Sequence, residues 1–208
     1  MEKGLIVVST LDNFEELGRF LYSFKQHNSF PVHVIVAKDI VDAHRAKTRC
    51  AFHSPFKFTI MIDTDILING DLSELFKTAE QGFIGIVREK LHPVLNSGVV
   101  VFPTELMKEV CTLWNSRYEE KILNPKTKGK RSNLWYWDQD ILNEILPQFP
   151  YKELPSIFNQ ILHDYTPEEE LKIYDKIKVF HFLHHSNIDR YRYKSYKNYM
   201  AIKPFELE

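Results

Sequence analysis

Short apolar runs alternate with stretches of helical spacing along this chain. Leu5-Ile-Val-Val-Ser-Thr10 is a β-branched run of the kind buried on both faces of a parallel sheet. Phe14, Leu17, Leu21 and Phe24 then recur at helical spacing, with Asp12 or Thr10 placed to cap the helix. Pro31 opens a second strand, Val32 to Ala37, which ends at Lys38-Asp39. Residues 40–53 read as a helix and Phe58 to Ile62 as a third strand. This β-α-β-α-β order is that of a nucleotide-binding half, with ligand sites at the carboxyl ends of its strands. The pattern predicts further strands at 83–87 and 98–102 and helices at 104–119 and 137–146. Between those helices, residues 124–133 are polar, contain Pro and Gly, and read as a loop.

The 208 residues suffice for one sizeable α/β domain and are too few for two ordinary ones. A net charge of −1 supplies no global field toward nucleic acid, so no nucleic-acid partner is expected. Cys50 and Cys111 fit neither a disulfide framework nor a zinc site and read as small buried hydrophobes. The first apolar run is too short and wrongly flanked for a signal peptide, and no apolar run is long enough to span a membrane. The expectation is a cytoplasmic protein.

The chemistry concentrates after the third strand, where Phe58-Thr-Ile-Met-Ile-Asp63-Thr64-Asp65 places two carboxylates at the exit of an apolar run. Residues i and i+2 of a strand point the same way, and two like charges side by side are unfavourable without something positive between them. A hard divalent cation bridging to phosphate oxygens is one solution. Turn or cap residues at a strand end are the other reading, and the three-residue pattern alone is weak.

Its surroundings sharpen it. Ser54 to Asp65, followed by Gly70-Asp-Leu-Ser-Glu-Leu-Phe76, resembles the donor-site signature of GT-A glycosyltransferases, and is most similar to the glycogenin and lipopolysaccharide galactosyltransferase group (family 8). Leu95-Asn96-Ser97-Gly98-Val99, Trp137-Asp138-Gln139-Asp140 and Val179-Phe180-His181-Phe182 agree with it in order and distance. The resemblance spans residues 5 to about 185. It implies an α/β GT-A fold with a central, mostly parallel sheet flanked by helices. A single domain would run from 1 to 208, its donor-binding half over about 1–103 and its acceptor-side half over about 104–208.

The resemblance also implies roles. Asp65 would grip a divalent metal, Asp63 would contact metal and donor ribose, and His181 would complete the metal shell; His184 and His185 are alternatives to it. Imidazole favours Mn²⁺ over Mg²⁺. Donor contacts would come from Thr10, Asp39, Thr64, Asn96, Ser97 and the basic residues Arg45, Lys47 and Arg49, with Arg49 preferred for the diphosphate. Asp39 serves equally as a turn residue. Asp138 would bind sugar hydroxyls, or act as general base if the enzyme inverts, and Gln139 would lie on the reactive face of the donor carbon. The family often follows its histidine with a glycine and Lys-Pro-Trp; this chain has Leu183-His184-His185-Ser186 there.

The expected reaction is transfer of a hexose from a nucleotide-diphosphate sugar, UDP-glucose or UDP-galactose by the family's habit, to a glycan or lipid-linked glycan. Arg88 and His92 are further sugar-contact candidates. Lys121 to Arg131 carries five positive charges and precedes Trp135, Tyr136 and Trp137, which suits an acceptor-side lid or a plain surface loop. Arg190 to Lys197 alternates basic and aromatic residues, a local patch fit for a peripheral membrane contact, for touching nucleic acid, or for an amphipathic strand covering a sheet edge. Two other classes compete: a sugar-phosphate nucleotidyltransferase, which normally needs a glycine-rich first loop that Ser9 to Asn13 lacks, and a non-catalytic nucleotide-sugar or carbohydrate-binding protein of the same fold.

Overall fold

The computed structural model describes residues 1–92, 94–123, 137–183 and 189–203. The expected loop over 124–133, Trp135, Tyr136, His184 and His185 lie outside the described residues. Along the chain run β1 (Lys3–Thr10), α1 (Phe14–His27), β2 (Val32–Ala37), α2 (Ile40–Lys47), α3 (Cys50–His53), β3 (Phe58–Ile62), β4 (Ile66–Ile68), α4 (Phe76–Glu80), β5 (Ile84–Arg88) and β6 (Leu95–Pro103). There follow α5 (Thr104–Tyr118), α6 (Trp137–Ile145), β7 (Tyr151–Leu154), β8 (Gln160–Ile161), α7 (Pro167–Ile173), β9 (Val179–His181) and α8 (Lys194–Ala201).

Six strands form one sheet in the order β2-β1-β3-β6-β5-β7, all parallel except β6. Leu5, Ile6 and Val7 follow one another without a polar break because β1 is covered on both faces. On one face Leu5, Val7, Ile60 and Ile62 pack with Phe20 and Phe24 of α1. On the other, Met61, Val100 and Phe102 meet Met107, Val110 and Trp114 of α5 and Ile141 of α6. A second sheet, β4-β9-β8, stands beside the first, with β4 antiparallel to β9. Among the described residues no helix is long and apolar enough to cross a membrane.

Several expectations need correction. The buried stripe of α1 is Leu17, Phe20, Ser23 and Phe24, and Phe14 is exposed. Thr10 and Asp12 do not cap α1, because a short 3-10 turn over Leu11–Asn13 comes between and Thr10 makes no side-chain cap bond. The helix expected over 40–53 is two helices. Thr48 donates its hydroxyl back to the Arg45 carbonyl at 2.8 Å, and the Arg49 N–H reaches only three residues back, to Ala46 at 3.1 Å. That side-chain bond and tightened turn end α2 at Lys47.

The strand expected at 98–102 begins at Leu95 and takes in Asn96, Ser97 and Gly98 through a bulge: Ile86 faces Val100, whereas the next residue, Val87, faces Asn96. The tail covers the second sheet as expected, but as helix α8 rather than a strand. The carboxylate of Glu170 accepts the N–H groups of Lys194 (2.7 Å) and Ser195 (2.8 Å) and so caps that helix. Tyr193, Tyr196 and Tyr199 turn inward onto Phe182 and its neighbours.

Candidate functional site

β1, β2 and β3 run side by side and end at the same edge, which brings Thr10, Asp39 and Asp63 to one rim of the sheet. Thr10 is buried there. Asp39 caps α2, its carboxylate accepting the Asp42 N–H at 2.9 Å. Asp63 to Asp65 lies in the short connection from β3 to β4 rather than inside a strand, so strand alternation is not what aligns the two carboxylates. The second sheet aligns them: in the β4–β9 pair Ile66 stands opposite His181, and the Phe182 N–H bonds the Asp65 carbonyl at 3.0 Å. His181 Nε2 thereby lies 3.3 Å from Asp65 Oδ1 and 4.0 Å from Asp63 Oδ2. Burial alone would lower the pKa of His181; the facing carboxylates, Asp65 first and then Asp63, raise it above the ordinary histidine value. Gly98 makes this approach feasible, since a Cβ there would sit 2.3 Å from His181 Cε1.

A second cluster adjoins the first through Asp63. Lys47 is buried, with its ammonium 2.9 Å from Asp63 Oδ1, 3.1 Å from Asp138 Oδ2 and 3.3 Å from Ser97 Oγ. Ser97 donates its hydroxyl to Asp138 Oδ2 at 3.3 Å, and His44 Nδ1 stands 2.7 Å from Asp138 Oδ1. Burial disfavours both charged forms, yet Lys47 and then His44 hold the Asp138 carboxyl well below the carboxylate range, and Asp138 and Asp63 hold the Lys47 ammonium above the lysine range. Asp138 opens α6, where the helix amides add to this stabilisation.

The three basic residues of the preceding helical segment separate. Lys47 alone of them joins the carboxylates. Arg45 makes a two-pronged bond to Glu119 at 2.7 and 2.9 Å, and Arg49 is exposed at the break between α2 and α3. Thr64 is buried with its hydroxyl 3.5 Å from Glu16. Arg88 pairs with Glu153. His92 stacks edge-on against His163, ring centres 5.4 Å apart. Cys50 and Cys111 are buried and meet with their sulfurs 4.0 Å apart.

Four participants went unread in the sequence. His44 is three residues before Lys47 on α2, a spacing that would have flagged it. Glu89, Asn159 and His163 had no signal. Glu89 is 2% exposed, and its Oε1 accepts from Asn96 Nδ2 (2.8 Å) and Gln139 Nε2 (3.1 Å), while His163 Nε2 stands 3.5 Å from its Oε2. Burial would raise its pKa, but His163, Asn96 and Gln139 bring it below the ordinary value. Asn159, just before β8, lies 3.0 Å from His181 Nδ1 and 2.8 Å from Asn96 Oδ1.

The fold has solved counterparts. The glycosyltransferase GlyE of Streptococcus pneumoniae TIGR4, in its apo form, is 15% identical with a TM-score of 0.66, the match covering 98% of this chain and 61% of that one. The galactosyltransferase LgtC, solved with donor and acceptor sugar analogues, is 12% identical with a TM-score of 0.71, covering 95% and 94%. Mouse xyloside xylosyltransferase 1 is 15% identical with a TM-score of 0.57, covering 90% and 100%. The fold is that of the GT-A glycosyltransferases. No protein-family model matches the chain, and no curated protein sequence matches it significantly. The chain spans about three fifths of the length of GlyE.

Within the GT-A fold, Asp63, Asp65 and His181 each offer an atom within 4.8 Å of the others. Two carboxylate oxygens and one imidazole nitrogen are a donor set that fits a divalent ion of intermediate hardness. Immediately after this group Leu183 adopts φ 42°, the left-handed region that favours glycine, at the place where the resembled family often carries one. Arg190 holds that turn, its Nη2 donating to the Leu183 carbonyl at 2.8 Å.

Proposed function

We propose that this chain is a metal-dependent glycosyltransferase that moves a hexose from a nucleoside-diphosphate sugar, UDP-glucose or UDP-galactose, to a hydroxyl of a glycan or lipid-linked glycan. The observation that carries the reading is the meeting of Asp63, Asp65 and His181 at the carboxyl rim of a GT-A sheet. These three residues would hold the cation, with Mn²⁺ preferred for its affinity for mixed carboxylate and imidazole sets. When bound, the ion supplies Lewis-acid stabilisation of a diphosphate leaving group.

The chain's own residues supply the rest. Lys47 places a fixed positive charge beside Asp63 and toward Asp138. Asp138 is a poor proton acceptor because Lys47 and His44 keep it ionised. A general base works best with a pKa near the operating pH, so this carboxylate suits sugar hydroxyls and a developing positive charge on the sugar carbon better than proton abstraction. Retention, in which this carboxylate takes up no proton, is the mechanism that suits it better. Gln139 donates to Glu89 and accepts the Ser97 N–H at 2.9 Å, so its amide enters as a fixed wall beside the bulge of β6. Thr10 and Asp39 border the rim where the nucleoside would lie. The inward tyrosines of α8 speak for a packing role of the tail over a membrane contact.

Calorimetric titration of a panel of nucleotide sugars, with and without Mn²⁺, tests this on the native chain and on Asp65→Ala. One donor should bind in a metal-dependent manner, weakened at least about 100-fold in the variant. No binding of any donor under either condition would sink the reading.

A further inference from the structure

Glu89 is buried, acidic, absent from the ligand group and absent from the Lys47 cluster, yet both depend on groups it holds. The direction of the side-chain amide bonds around it follows from two backbone amides, which can only donate. The Gly98 N–H lies 2.9 Å from the Asn96 side chain and the Ser97 N–H lies 2.9 Å from that of Gln139, so each of those side chains turns its oxygen to the backbone. Their NH₂ groups therefore both face Glu89 Oε1, which accepts two bonds. Asn96 Oδ1, already an acceptor, also receives the NH₂ of Asn159 at 2.8 Å. The Asn159 oxygen is then left facing His181 Nδ1 at 3.0 Å, and that nitrogen must donate. In the neutral ring, what remains is the lone pair of Nε2, on the side of Asp63 and Asp65.

We propose that Glu89 is a positioning residue for His181, fixing through the Asn96–Asn159 relay that the ring carries its proton on Nδ1 and presents Nε2 to the carboxylates. The inference rests on the metal-site reading above. Without the acceptor at position 89, two buried NH₂ groups lose their partner and the cheapest repair is to turn over the amides. A turned Asn96 would bring its NH₂ against the Gly98 N–H, and the relay would no longer specify which ring nitrogen holds the proton. Ligating histidines are commonly oriented by a hydrogen bond to their other nitrogen, and loss of such a partner typically weakens metal binding 10- to 100-fold. Glu89 would exert that influence from two side chains away.

The tautomer of His181 is read directly by nitrogen-15 NMR of imidazole-labelled, metal-free protein at alkaline pH, and Mn²⁺ affinity by calorimetry. In the native chain the proton should sit on Nδ1; a proton on Nε2 overturns the proposal without any variant. Glu89→Leu should yield mixed tautomers and bind Mn²⁺ about 10- to 100-fold more weakly. Glu89→Gln keeps an oxygen for both NH₂ groups and should restore the native tautomer and an affinity near native. A folded Glu89→Leu with native tautomer and affinity, or a Glu89→Gln as impaired as Glu89→Leu, overturns it. Should Glu89→Leu not fold, Asn159→Ala cuts the last link with Glu89 in place and must show the same mixture; a native tautomer there also overturns the proposal. If the native chain binds no Mn²⁺ while the tautomers respond as described, the metal reading falls and the relay stands.

Discussion

Around Asp138 the counter-charge is a lysine ammonium sealed inside the protein, whereas around Asp65 it is an imidazole. Lys47 stands 3.1 Å from Asp138, and Asp138 and Asp63 together outweigh the cost of burial and keep it charged across the ordinary pH range. His181 stands 3.3 Å from Asp65, and its charge is conditional on a proton. The two regions share Asp63 and differ in what they can exchange. The first is locked by covalent attachment of its cation to the chain. The second has a counter-charge that can leave as a proton, which is what the proposed divalent-cation site would need.

The contrast breaks most visibly at Lys47. Lys47→Met leaves the buried Asp138 without its main partner and should cost about 3–5 kcal/mol in urea unfolding. A loss under about 1 kcal/mol would show that His44 and the α6 amides suffice. Next comes Gly98→Ala, which drives a methyl group into the His181 ring and should cost about 1–3 kcal/mol, with weaker Mn²⁺ binding in the same preparation. Unchanged metal affinity there would mean the ring has room to retreat.

A pH series sharpens the first region. The Asp138 carboxyl has a depressed pKa in the folded state, so its stabilising contribution is complete above the unfolded value of about 4 and is lost as pH falls through the folded one. Native protein should therefore lose stability faster than Asp138→Asn below about pH 4, by up to about 1.4 kcal/mol per pH unit. Parallel curves would mean another group dominates the acid limb. The smallest effect is expected at Arg45→Ala, whose half-exposed pair with Glu119 is screened by solvent, and which should shift unfolding by no more than about 1 kcal/mol.

Local rules made much of the fold legible. β2, at the sheet edge, and β3, between β1 and β6, begin and end where their apolar runs do. The break after Lys47 was not legible, since it rests on a threonine hydroxyl choosing its own backbone and Asn115 over helix continuation. That break also decides which basic residue points inward: Lys47 reaches the carboxylates, and Arg49 lies exposed at the break. Asp63 and Asp65 were marked by their spacing at the exit of an apolar run, and resemblance to a family sharpened that reading and added His181. Glu89 and Asn159 escaped because their meaning lies in hydrogen bonds across β5, β6 and β8, and neither periodicity nor a neighbouring motif marks such positions.

The pairing of Ile66 with His181 sets a timetable for the molecule. The two carboxylates belong to the first third of the sequence, but their imidazole arrives only with β9. A chain emerging from the ribosome can assemble β1, β2 and β3 long before that strand exists. Completion of the Asp63–Asp65–His181 group is consequently a late event of biosynthesis, coupled to docking of the second sheet, and a product stalled or clipped before β9 would carry the two carboxylates without their imidazole.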